Sequence, residues 1–97
     1  MTLQYLIFDA SDDGEGLGSW EAVASVRAAD VPRVRAEIDV LFAAAEADSP
    51  GPRGPLDGHG VWDIDVEQHE DGGWQTLTVT LIGPWAWGES LLARLAD

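Results

Sequence analysis

Val61-Trp62-Asp63-Ile64-Asp65-Val66-Glu67-Gln68, followed by His69-Glu70-Asp71-Gly72-Gly73 and then Trp74-Gln75-Thr76-Leu77-Thr78-Val79-Thr80-Leu81-Ile82, is the stretch on which the fold turns. Apolar and polar residues alternate on both sides of the glycine pair. A period of two marks a half-buried strand, because successive side chains leave a strand on opposite faces. Glu70 to Gly73 carries turn chemistry, so the two runs read as a hairpin. Its inner face takes Trp62, Ile64, Val66, Leu77, Val79 and Leu81. Its outer face takes Asp63, Asp65 and Glu67, with Thr76, Thr78 and Thr80 on the answering strand.

Downstream, Pro84 suits the opening of a short helix in which Trp87, Leu91 and Leu95 recur at i,i+4 beside Gly88 and Leu92. Upstream, the twelve residues Ser49 to Gly60 are rich in proline and glycine. Extended, such a connector spans up to about 40 Å, so it could cross a whole sheet and leaves the direction of the next strand open. The spacing Pro52-x-x-Pro55 within it reads as loop, not as a polyproline ligand. Before the connector, Val31, Val34, Ile38, Leu41, Phe42 and Ala45 form one helical stripe, with Asp30 ahead of it and Pro32 in its first turn. This predicts a helix over 31–48. Arg33 and Arg35 lie near its positive end and Glu46 and Asp48 near its negative end, against the macrodipole. The i,i+4 pairs Arg33/Glu37 and Arg35/Asp39 would offset part of that. A second stripe of Ala36, Val40, Ala43 and Ala47 runs roughly opposite the first.

Nearer the N-terminus, residues 3–10 form a short apolar run rich in β-formers, which predicts a strand covered on both faces and central in the sheet. Trp20, Ala22, Ala24 and Val26 alternate with polar residues in a second strand, and the acidic, glycine-rich loop Ser11 to Gly18 joins the two as a hairpin. The element order is therefore ββαββα. It predicts one α+β domain over 1–97, a four-stranded antiparallel or mixed sheet with both helices packed on one face.

A chain of 97 residues has room for one core, burying roughly 60–65% of the surface its unfolded form exposes. Its formal net charge is −13, with five arginines, no lysine and no cysteine. Without cysteine there is no disulfide, thiolate metal site or cysteine nucleophile. So negative a surface repels a polyanion and lacks the basic footprint that nucleic acid needs. The first apolar run ends at Asp9 with no basic residues before it, too short for a leader or a membrane span. The expectation is a cytoplasmic protein that meets neither nucleic acid nor membrane.

For chemistry, Asp9, Ser11, Asp13 and Glu15 match the front half of a calcium loop, with Gly14 at the sixth position. The back half fails, because the twelfth position falls on Trp20 and the next acid, Glu21, sits inside a strand. An acidic, solvated loop is the plainer reading. Asp63, Asp65, Glu67 and His69 project at intervals of about 6.5–7 Å, too wide for neighbours to share an ion directly. His59 and His69 lie beside turns with no local nucleophile. Gly14, Gly16 and Gly18 do not open a helix, as a phosphate loop would require. Of the five tryptophans, Trp74 and Trp85 fall off the predicted core faces and are the contact candidates. No catalytic residue and no cofactor are expected. The reading is a non-enzymatic module that binds a protein partner with a basic patch through Asp63, Asp65, Glu67 and Trp74. The alternatives are a Ca²⁺ site at Asp9, Ser11, Asp13 and Glu15, then a small carboxylate-dependent enzyme. A homodimer could form through the first helix or the open sheet face.

Overall fold

Alternation at 61–82 becomes a hairpin of two long strands in the computed structural model, which describes residues 3–96. The elements are β1 (Asp9–Asp12), β2 (Leu17–Arg27), α1 (Val31–Ala47), β3 (Asp63–Asp71), β4 (Trp74–Pro84) and α2 (Trp85–Leu95), with a 3-10 turn at Ala28–Asp30 leading into α1. Gly72 and Gly73 both have positive φ, 58° and 88°. Two such residues in succession give the turn whose twist matches that of the strands it joins.

The strand order is β1-β2-β4-β3 and every neighbouring pair is antiparallel. The second strand of each ββα half therefore lies at the centre and the first at an edge. The halves meet back to back along β2 and β4, with Trp20 opposite Leu81, Ala22 opposite Val79 and Ala24 opposite Leu77. Those residues share one side of the sheet with Ile64 and Val66. Both helices cover that side. Val34, Ile38, Leu41 and Ala45 of α1 and Leu91 and Leu95 of α2 join the strand residues and Trp62 in one buried cluster. Each of the Val, Leu and Ile side chains contributes about 1.5–3 kcal/mol by leaving water.

Trp20 is the keystone of this layer and is only 1% exposed. Its ring stacks on that of Trp85 at 5.4 Å between centroids. Beside it the chain has only hydrogens at Gly18 and Gly88, where an added Cβ would lie 2.5 and 2.1 Å from the Trp20 ring. Gly88→Ala would improve intrinsic helix propensity by ~1 kcal/mol, yet it overpacks a ring with nowhere to go, at a cost of ~1–3 kcal/mol. The urea midpoint of Gly88→Ala is expected to fall. A rise would show that the ring has slack.

Several expectations need correction. Residues 3–8 form no strand and take no place in the sheet, whose first strand is the short, exposed edge Asp9–Asp12. Instead the segment is a strap: Leu6 is buried, while Ile7, next to it, is 78% exposed. The ion pairs foreseen along α1 do not form. Arg33 approaches Asp30 at 3.6 Å, Arg35 donates to Gln68 of β3, and Glu37 turns inward. Asp30 makes no side-chain cap bond to α1. Trp85 is half-buried against Trp20 and not an exposed contact residue, because α2 begins there and lays its first side chain on the sheet's central tryptophan. Trp87, by contrast, packs against the core as expected, its ring 5.5 Å from that of Trp62, and it donates its indole N–H to the Asp48 carbonyl at 2.8 Å.

Candidate functional site

No helix or strand among the described residues covers the side of the sheet away from the helices, although the connector reaches one corner, where Leu56 lines a hollow with Ser11, Ser19 and Ile82. Pairing registers set out its side chains in rows. Asp9, Glu21, Thr80 and Asp65 form one row, and Ser11, Ser19, Ile82 and Asp63 the next. Shorter rows follow: Val23, Thr78 and Glu67; Ser25, Thr76 and His69; and Arg27, Trp74 and Asp71. Strands lie about 4.8 Å apart, so Glu21 and Asp65 stand about 9.5 Å from each other across Thr80. The face is thus a serine and threonine floor with carboxylates along both flanks. Its exposed apolar residues include Val23 and Trp74, 54% and 45% exposed.

Its polar groups differ in how committed they are. The hydroxyls of Ser25 and Thr76 bond each other at 2.9 Å. Asp63 is half-buried and taken. The connector before β3 turns back beside it, Arg53 bridging to Trp62, and the Arg53 Nε donates to Asp63 at 2.9 Å. The same Asp63 oxygen accepts the Ile64 N–H. Asp65 and Glu67 have no ion-pair partner among the described residues. Arg27 lies over the Trp74 ring, 4.1 Å from its centroid, an arrangement in which the ring's negative face meets a guanidinium. Of the partner residues read from the sequence, then, Asp65, Glu67 and Trp74 share the open face, whereas Asp63 sits at its corner and is already paired.

The acidic loop is organised by its own backbone. Asp12 accepts the Gly14 N–H at 2.8 Å, and Asp13 accepts those of Glu15 and Leu17 at 2.7 and 3.0 Å. These are the side-chain-to-backbone bonds typical of Asp in turns. Asp9 and Ser11 project instead onto the open face beside Glu21 and Ser19. Among the described residues, no three His, Asp or Glu side chains come together as a cation cage would require. His59 and His69 are exposed. On α1, Ala36, Ala43 and Ala47 face solvent while Val40 is half-buried.

Glu37 is the polar residue that sequence reasoning missed. It is 5% exposed, and its carboxylate accepts the backbone N–H groups of Gln4, Tyr5 and Leu6 at 2.8–3.2 Å. One side chain thereby does for the strap what a neighbouring strand would have done, satisfying three donors in a row. Arg33, at the strap's edge, is pushed further above its ordinary pKa by a hydrogen bond with the Tyr5 phenol, with Asp30 adding to the effect, and it stays a cation. A signal for Glu37 did exist: helical spacing places it on the inward stripe with Val34, Ile38 and Leu41.

Among the described residues, no helix is long and apolar enough to cross a membrane. No family model, curated protein or solved structure matches this chain.

Proposed function

We propose that the protein is a non-catalytic interaction module whose open sheet face docks a protein partner bearing a basic patch. The observation that carries this reading is the uncovered face itself. Asp9 and Glu21 line one flank and Asp65, Glu67 and Asp71 the other, with Arg27 at one end and Arg53 paired to Asp63 at a corner, in a chain of net charge −13. Such a face draws in cations at long range and pairs with lysine and arginine at contact. Trp74 supplies an aromatic anchor at one end, and its stacking on Arg27 is the contact a partner's guanidinium would make. We place the encounter in the cytoplasm.

A defined oligo-arginine peptide, titrated calorimetrically at low and high salt, tests the reading. Binding is expected to weaken with salt and to fall at least tenfold, about 1.4 kcal/mol, in the double variant Asp65→Lys/Glu67→Lys. Reversing two acids away from the face, Glu15→Lys/Glu46→Lys, changes net charge equally and should cost much less. Equal losses in the two double variants would mean that the peptide senses charge alone, and the assignment of the face would fail.

A further inference from the structure

The strap and α2 border a second feature, independent of the open face: a shallow, open apolar groove of about 470 Å³, within the ~300–1,000 Å³ usual for small-molecule sites. Leu3, Leu6 and Phe8 of the strap form one wall, and the indole of Trp20 borders it. The other wall is a single stripe of α2 and its C-cap, Glu89, Leu92, Ala93 and Ala96, at i, i+3, i+4 and i+7. The groove is held open in advance. Glu37 fixes the strap through three backbone N–H groups, and the Leu3 N–H donates to the Leu95 carbonyl at 3.4 Å.

Its chemistry is polarised. Among the described residues of the lining Glu89 is the ionisable one, and the Trp20 Nε1–H holds one of its carboxylate oxygens at 3.0 Å. A carboxylate accepts up to about four hydrogen bonds, so most of its capacity is left for a ligand. Beyond it the α2 stripe is apolar for about 10 Å, at a rise of about 1.5 Å per residue. Among the described residues the lining holds no cation, and the chain's charge of −13 disfavours any anionic amphiphile. We infer that this groove binds a hydrophobic monocation, a single-chain aliphatic primary amine, with its ammonium on Glu89 and its tail along Leu92, Ala93 and Ala96.

Octylamine, octanol, octanoate and ethylamine, followed by ¹H–¹⁵N chemical shifts, separate the components of that claim. Octylamine is expected to shift the Trp20 indole N–H and the amides of residues 92–96 saturably, with octanol roughly tenfold weaker, the scale of one lost charge-assisted contact. Octanoate and ethylamine should leave those signals unmoved. Glu89→Gln, which retains an acceptor for Trp20, should bring octylamine down to the octanol level. Ala93→Phe, at an exposed position, should block the groove without disturbing the sheet signals. Equal affinity for octylamine and octanol, indifference to Glu89→Gln, or ammonium-driven shifts on the open face alone would each overturn the inference. Loss of the folded spectrum in Glu89→Gln would not rescue it, because Ala93→Phe must still abolish the octylamine shifts.

Discussion

Glu37→Ala is expected to destabilise the protein by about 2–4 kcal/mol in urea unfolding and to expose the amides of Gln4, Tyr5 and Leu6 to fast hydrogen exchange. The carboxylate receives N–H donors from three successive residues, and hydrogen bonds to a charged group are worth about 1.5–3 kcal/mol each. Their sum is not reached. The strap can peel away and give its N–H groups to water, which caps the loss at the cost of exposing Leu6 and opening one wall of the groove. Local release and global destabilisation should therefore appear together, with the exchange effect concentrated at the strap. Asp39→Ala is the control, since helical spacing alone would pair this exposed acid of the same helix with Arg35. In the fold Arg35 donates to Gln68 instead, so little change is expected. Unchanged protection at residues 4–6 in Glu37→Ala would show that the strap is held by its apolar contacts and not by the carboxylate.

Trp20→Ala is expected to cost more, about 3–5 kcal/mol, as for other aromatic truncations in packed cores. Four features converge on this ring: the close approaches of Gly18 and Gly88, the stack on Trp85 and the hydrogen bond to Glu89. Both glycines leave a cavity that no neighbouring side chain can fill, because neither has a side chain to move. Against a total stability of about 5–15 kcal/mol, usual for one domain, the variant should be marginal at 37 °C. Trp20→Phe keeps most of the volume and loses the donor, and should fall between. The measurement is the urea midpoint together with the near-ultraviolet circular dichroism of the aromatic cluster. A loss below ~1 kcal/mol would mean that the layer closes over the missing ring and that Trp20 is not its keystone.

What could be read in advance was what repeats locally. The period of two at 61–82 and at 20–26, and the period near 3.6 at 31–45, place the inward residues of β2, α1, β3 and β4 on the right sides, because one core face selects each period. What could not be read depended on residues far apart in the chain. Residues 3–8 are as apolar as a buried strand, and nothing within the run says that its N–H groups will be met by a carboxylate some thirty positions on. Asp63 looked like its neighbours Asp65 and Glu67 until the connector's return brought Arg53 beside it. Trp85 read as an outlying aromatic because its partner, Trp20, lies in the other half of the chain. The flank formed by Asp9 and Glu21 was hidden for the same reason. It becomes the second border of the open face only once β2 is known to pair with β4.

That seam has a kinetic consequence. Trp20 and Leu81 must find each other across roughly sixty residues, and closing so long a loop costs entropy before any apolar contact returns it. Assembly should therefore be slower than for a helical bundle of equal length, on the scale of milliseconds to seconds. Neither half is expected to fold in its own right. Cut in the connector, each fragment would keep a hairpin whose inner strand has lost its mate, and the two pieces would sooner recombine or aggregate than stand alone.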